Sequence, residues 1–390
     1  MRTHTGPELN IRQGGTVMQQ LVGILLNASM HRGIPRCKTG QESLANYEEG
    51  AQVYGLIPVF LKLEDIDLET GRCIAYIKND NDYVLIDIPI PKVIHNRAIY
   101  VNNSSHLRIS RLLNIGIIVF NVCNRYGKDE IHRRLSSNPS LKPFLPNTDT
   151  ATPTVIRRMM KKHNDLILKP CRGSIGQGIM RLRKVNSNWM LTYSNSPSIG
   201  GWKTITLNKE QLPPIVLRRI SRHPFLVQER IPLAEYQGNA YDIRVTIQRG
   251  LQGLWQMTGM YAKIAPSNTF VTNIAQGATA VPVESILATS IPSQSPLSVI
   301  QCIEQVTLEM AWSLSTQLPW LADFGMDIGI TSKGKPYFIE CNGRDQRYGF
   351  RKANMTSTWK KTYEHPMAYA HHLLESDAYR RSLPPSYHYY

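Results

Sequence analysis

The chain of 390 residues is 42% apolar and 19% charged, which suits a core of two or three subdomains and excludes a disordered polypeptide. Six scattered cysteines, at 37, 73, 123, 171, 302 and 341, form no Cys-x-x-Cys pair, so a zinc site and a dense disulfide framework are disfavoured and a reducing, cytoplasmic setting is inferred. The net charge of +16 is dispersed, and without an RRM signature, zinc-finger spacing or a helix-turn-helix pattern a nucleic-acid partner is disfavoured too.

Residues 1–17 are polar, glycine-containing and unpatterned, and read as a disordered extension or as the product of a start codon placed ahead of Met18. The apolar run 21–26 is too short for a signal-peptide core or a membrane span. Between 18 and 120, β-like runs at 21–26, 57–60, 83–88 and 115–120 alternate with polar or helical stretches, predicting a small α/β domain. Residues 121–164 read as linker and helix. The part up to 147 is rich in Pro, Asn and Ser with one helix, and Thr152-Pro153 offers an N-cap and a first-turn proline for a helix running to His163.

From Asp165 a short apolar strand delivers Lys169 at its end. Arg172, Gly173, Ser174, Gly176 and Gly178 follow in a loop, and a second strand runs over 179–185. Glycines let backbone N–H groups close over phosphate oxygens, and the lysine adds a point charge. The loop lacks the Gly-Lys-Ser/Thr end of a Walker motif and the Gly-x-Gly-x-x-Gly entry to a helix. It joins two strands, which predicts a flap over phosphates; an ordinary glycine-rich hairpin is the bland alternative. Further on, Phe225 to Ile231, with Gln228, Glu229 and Arg230, predicts a strand stopped by Pro232. Along 241–248, Asp242, Arg244, Thr246 and Gln248 share one strand face. Lys263 stands near the end of the run 257–264, ahead of a loop with Asn268 and Asn273. The stripe Ile303, Val306, Met310 and Leu314 predicts an amphipathic helix over 299–318 with its apolar side in the core.

Two alternating runs, 324–330 and 337–342, flank the turn Ser332-Lys333-Gly334-Lys335 and predict a hairpin. In a symmetric register Ile330 pairs with Tyr337 and Asp327 falls opposite Glu340, with Asn342 on the same face. Directly opposed side chains stand roughly 5 Å apart at Cβ, where like charges repel unless a cation sits between them. Two carboxylates and an amide oxygen are hard ligands suited to Mg²⁺ or Mn²⁺ shared with a phosphate; two solvated carboxylates are the bland alternative. Beyond the hairpin, Arg344, Arg347, Arg351 and Lys352 form a basic cluster able to hold an acidic acceptor, or simply a solvated loop. A last helical region covers 353–376, and 377–390 reads as a flexible tail.

On these residues the chain resembles the ATP-grasp superfamily and, more narrowly, the YheC/YheD branch, known as endospore coat-associated proteins of spore-forming bacteria. The likeness runs from about Leu21 to about Glu375, and the order and spacing of loose motifs carry it. It implies two α+β subdomains clamping ATP, a lid over 165–240 and a metal-binding, catalytic subdomain over 241–376, preceded by the small N-terminal α/β domain. It implies that Lys169 contacts the α/β-phosphates and that the loop of Arg172, Gly173, Ser174, Gly176 and Gly178 covers them. The backbone around Gln228, Glu229, Arg230 and Ile231 would read adenine, and Asp242 would hold the ribose. Lys263 would stand near the γ-phosphate, with Arg244 and Arg344 as further catalytic cations, and Asp327, Glu340 and Asn342 would bind Mg²⁺ or Mn²⁺. The implied activity is ATP- and Mg-dependent, ADP-forming ligation of a carboxylate to an amine through an acyl phosphate. The acceptor would be an acidic small molecule, peptide or polymer, in a cytoplasmic or spore-coat-associated setting. Val271 departs from the arginine such relatives keep, which bears on how the transferred phosphate is clamped. A coat-associated structural protein that binds nucleotide without turnover is the rival reading, against which the opposed carboxylates argue. Substrate identity and oligomeric state are not written in the sequence.

Overall fold

The apolar runs become strands that close into three sheets in chain order, each sheet taking a contiguous set of strands. The computed structural model describes residues 20–173, 177–194, 201–208, 211–267 and 272–376. The expected extension and tail, Ser174, Gly176, Asn268 and Val271 lie outside the described residues.

The first sheet holds β1 (Gln20–Leu25), β2 (Leu56–Leu61), β3 (Ile66–Asp67), β4 (Arg72–Asn79), β5 (Asp82–Pro89), β6 (Val93–Asn96) and β7 (Ile118–Phe120). Strands β2, β1, β6 and β7 lie parallel in that order, while β4 joins β2 antiparallel and carries β3 and β5. The continuous apolar sequence of β1 suits a parallel strand covered on both faces. Helices α1 (Ala28–Gly33) and α2 (Leu44–Gln52) follow β1, and α3 (Asn103–Asn114) precedes β7. Tyr47 of α2 packs with Val22 and Ile24, and Ile109 of α3 packs with Leu25 and Ile94.

Helix α4 (Lys128–Ser136) leads into the second sheet, β8 (Thr148–Thr150), α5 (Pro153–Lys162), β9 (Asp165–Pro170), β10 (Met180–Val185), β11 (Asn188–Ser194), β12 (Trp202–Leu207), α6 (Pro214–Arg222) and β13 (Phe225–Glu229). Its order is β12-β11-β10-β9-β13-β8, antiparallel throughout. The Thr152 hydroxyl caps α5 by accepting from the Val155 N–H. That helix, grouped with the linker on sequence grounds, sets Ile156, Met159 and Met160 into the core of this sheet beside Val216 of α6.

The third sheet comprises β14 (Glu235–Tyr236), β15 (Asn239–Arg249), β16 (Trp255–Ile264), β17 (Thr279–Pro282), β18 (Asp323–Ile330) and β19 (Pro336–Asn342), in the order β17-β16-β15-β18-β19 with β14 on β15. Helices α7 (Glu284–Ser290) and α8 (Pro296–Ser315) precede β18; α9 (Tyr348–Lys352) and α10 (Thr356–Glu375) follow β19. The α8 stripe Ile303, Val306, Met310 and Leu314 is buried with Ile243, Val245 and Phe324. Ile131 and Leu135 of α4 join that core, and Tyr363 and Met367 of α10 join the core of the first sheet.

The β18–β19 hairpin departs from a symmetric register. Ile330 pairs with Pro336, one residue from the expected Tyr337, and a bulge at Ile339 absorbs the difference. Asp327 consequently stands opposite Glu340, as the symmetric register also had it. Bulges re-aim side chains in this way beside functional sites.

Candidate active site

The second and third sheets face each other across a cleft of about 1060 Å³, counted with its open mouth. One wall is Ile167 and Lys169 of β9 with residues 228–231 at the end of β13. The other is Asp242 of β15, Lys263 of β16, Asp327 of β18 and Glu340 of β19. Strand register sets the acids and bases beside each other: Lys263 is the neighbour of Asp242, and Arg244 of Asp327.

Lys263 Nζ lies 3.0 Å from Asp242 Oδ1 and 2.9 Å from Asp327 Oδ1. Arg244 donates to both Asp327 oxygens, Nε at 2.7 Å and Nη2 at 3.3 Å, and gives Nη1 to Asp345 at 2.9 Å. Burial opposes ionisation of Asp327, but Arg244 and Lys263 beside it hold its carboxyl well below the usual range. Burial pushes the Asp242 carboxyl up to about 6, with Asp327 adding to the rise and Lys263 opposing it. The Thr272 hydroxyl donates to Asp242 as well. Gly325 lets Arg244 reach across, since a Cβ there would stand 2.3 Å from Asp345 Oδ1.

Lys169 is 6% exposed and donates to Gln228 Oε1 and the Ile339 carbonyl, each at 3.0 Å. An ammonium has three donors, so one remains for the cleft. Burial, with no ion-pair partner among the described residues, pushes its pKa down to about 8, against the pull of Glu340. Lys128, which no sequence pattern singled out, completes the wall from α4, with Nζ 3.0 Å from Glu340 Oε1 and 3.0 Å from the Gly173 carbonyl. Nothing local marks an isolated lysine in a polar stretch; the packing of α4 against β19 brings it in.

The remaining candidates divide. Gly173 and Gly178 hold φ of +147° and +78°, backbone that side-chain-bearing residues rarely adopt, and Gly173 lines the cleft. At the end of β13 the Glu229 N–H donates to Asn147 O and the Arg230 N–H to Asp165 O. Ile231 follows them in the cleft lining, and its N–H has no backbone acceptor among the described residues. The Glu229 side chain turns outward to the Asn147 N–H and His163. Arg172 is exposed, and Arg172, Arg244, Asn342 and Arg344 are not among the residues lining the cleft. Asn342 stands opposite Gly325 with its amide nitrogen buried and without a partner among the described residues. The basic cluster after β19 is split: Arg347 is buried on Asp323 and Tyr47, while Arg351 and Lys352 lie over the rings of Trp359 and Tyr348.

A magnesium ion fits this donor set in one way. Among the described residues no three His, Cys, Asp or Glu side chains converge. The protein therefore offers the opposed pair Asp327 and Glu340; the buried atom of Asn342 without a partner among the described residues is its amide nitrogen, a donor, so only the amide oxygen is a ligand. Mg²⁺ takes one or two carboxylates and fills its other positions with substrate phosphates and water, so these residues fit a metal–nucleotide rather than a free ion.

A family model described as YheC/D like ATP-grasp matches residues 116–373, more than half of the chain. The endospore coat-associated protein YheD of Bacillus subtilis (strain 168) is 24% identical over 321 residues, 80% of this chain and 69% of that protein. YheC of the same organism is 20% identical over 335 residues, 82% of this chain and 89% of that protein. Among solved structures the chain is similar to the ATP-grasp ligase PsnB, complexed with a phosphomimetic variant of minimal precursor, Mg and ADP, with a TM-score of 0.51, 14% identity and coverage of 91% of this chain and 99% of that one. D-cycloserine synthetase DcsG is similar at a TM-score of 0.51 and 10% identity, covering 90% of this chain and 99% of that one. Both likenesses establish an ATP-grasp fold. With the two-sheet cleft and the matched residues together, this chain belongs to the YheC/D-like ATP-grasp family.

Proposed function

We propose that the protein is an ATP- and magnesium-dependent ligase joining a carboxylate to an amine. The observation that carries this reading is the single cleft in which Lys128, Lys169 and Lys263 accompany the opposed pair Asp327 and Glu340. The lysines suit a polyphosphate, and the carboxylates suit the cation that accompanies it.

Lys169 holds the phosphate chain from the second-sheet side and Lys128 from α4 beside β19, and residues 228–231 take the adenine edge. Lys263, fixed between Asp242 and Asp327, offsets the charge that builds at the γ-phosphate. Asp327 and Glu340 would hold the ion, with the Asn342 amide oxygen as a further ligand from beyond the cleft lining, and the ion would supply charge neutralisation to the phosphates when bound. An acceptor carboxylate oxygen attacks the γ-phosphorus, the bond to the β,γ-bridging oxygen breaks, and ADP leaves. The amine nitrogen then attacks the acyl carbon, inorganic phosphate departs, and a proton is lost as the amide forms. The protein contributes position and charge rather than a covalent nucleophile. The names of the curated relatives support a spore-associated role for this chain, which fractionation of spores would check.

Calorimetry of ATP with and without Mg²⁺, on wild type and Glu340→Ala, tests the site. Binding that depends on magnesium in wild type and loses that dependence in the variant is the expected result. Absence of binding by wild type would sink the reading. Binding without ADP release over a broad carboxylate and amine screen would leave a nucleotide-binding protein with no turnover.

A further inference from the structure

Four arginines reach the region where the first and third sheets meet, and their partners differ. Arg244 holds Asp327 and Asp345, Arg97 holds Glu42 and Asp323, and Arg347 holds Asp323. Arg344 has no carboxylate at ion-pair distance among the described residues. Its Nη1 donates to Asn27 Oδ1 at 3.1 Å and to the Arg97 carbonyl at 3.4 Å, both neutral oxygens. The other N–H groups of its five-donor fork have no partner among the described residues. A partly buried guanidinium left on neutral oxygens is in an environment that an anion improves.

Its place in the fold fits a ligand. Asn27 follows β1 and Arg97 follows β6, and both strands run parallel. From β1 the chain passes to β2 on one side, while β6 lies on the other, so the strand order reverses between β1 and β6. Open α/β sheets hold ligands outside the carboxyl ends of their strands at such a reversal. Arg344 comes two residues after β19 ends, so at most about 7 Å of chain separates it from Asn342 and about 14 Å from Glu340. It does not line the nucleotide cleft. The acid it holds is therefore not the one facing the γ-phosphate.

We propose that Arg344, at the β1/β6 crevice, anchors a second, non-reacting carboxylate of the acceptor, which makes the acceptor a diacid, free or within a peptide. The proposal rests on the ligase reading. ADP release from Mg–ATP is measured on the full chain, with hydroxylamine as the capturing amine, for glutarate, adipate and the dipeptide Ala-Glu, each beside its monoamide. Wild type is expected to prefer diacid over monoamide, and Arg344→Met to lose that preference on the order of 10–100-fold in kcat/KM, through the acceptor KM. Arg344→Lys, which keeps charge without the fork, recovers part of the preference. A purely structural role would lower diacid and monoamide rates together, and that result overturns the proposal. So does a wild-type protein that binds Mg–ATP yet releases no more ADP with any diacid than with its monoamide. Calorimetry on the same wild-type sample separates the two failures, because absence of Mg–ATP binding sinks the ligase reading itself.

Discussion

An ammonium buried beside neutral acceptors loses its proton early, and Lys169 is such a group. Its pKa lies at about 8 in the folded chain against the ordinary 10.5. Between those values the unfolded chain binds the extra proton, so the contribution of this site to stability rises with pH across that window. Nucleotide binding runs the other way, since phosphate needs the charged form. Affinity for Mg–ATP is expected to fall above about pH 8, and binding at pH 8.5 to take up protons, read as a buffer-dependent enthalpy. Lys169→Met should weaken Mg–ATP by roughly 10–100-fold and abolish the uptake, both measured by calorimetry. Proton uptake unchanged in the variant would assign it to another group. Lys169 was legible in the sequence because a strand end and a glycine loop flank it. Lys128 was not, because its role depends on α4 docking against β19.

At the scale of the element, the β18–β19 hairpin joins backbone geometry to charge. The bulge at Ile339 keeps Asp327 opposite Glu340 although the turn end is one residue out of the symmetric register. Period-two alternation foresaw the facing of the two carboxylates, whereas a bulge carries no compositional mark. Gly325 serves the same hairpin by its lack of a side chain. A Cβ there would press on Asp345 Oδ1 at 2.3 Å, Asp345 Cγ at 2.8 Å and Arg244 Cδ at 3.1 Å. Those atoms are fixed by mutual hydrogen bonds and by the Thr246 hydroxyl on Asp345. Gly325→Ala should therefore destabilise the protein by about 1–3 kcal/mol in urea unfolding. It should also free Arg244 from Asp345; a variant as stable as wild type would show that this contact relaxes without cost.

At the scale of the whole molecule, a buried polar network joins the first sheet to the third. Asp323, at the start of β18, takes Arg97, Arg347 and Gln248, and Arg97 also reaches Glu42 and the Asp345 carbonyl. Asn121 closes the seam by accepting from the Ala322 and Asp323 N–H groups. His95 stacks on Phe120 with its Nε2 3.2 Å from Asp323. Burial lowers its pKa from 6.5 to about 4, and the Asp323 carboxylate, already satisfied by two arginines, does not reverse that. Between those values the unfolded chain binds the proton that the folded chain refuses, so stability is lost as pH falls from 6.5 towards 4. The melting temperature should drop between pH 7 and pH 5 in wild type and drop less in His95→Gln. Equal drops would place the acid sensitivity elsewhere.

The sequence by itself determined the strand that delivers Lys169, the glycines after it, the capped helix α5 and the facing of the carboxylate pair, because each rests on contacts within a few residues or across one turn. Tertiary structure alone decided which charges are free to act. Arg244 and Arg347, read from the sequence as cations for phosphate or acceptor, are taken by Asp327, Asp345 and Asp323. Arg344, read with them, is left on neutral oxygens among the described residues, and Lys128, which no motif marked, pairs with Glu340 at the cleft. Whether a charge is spent depends on which partners lie within about 4 Å, and those partners come from strands and helices far apart in the chain.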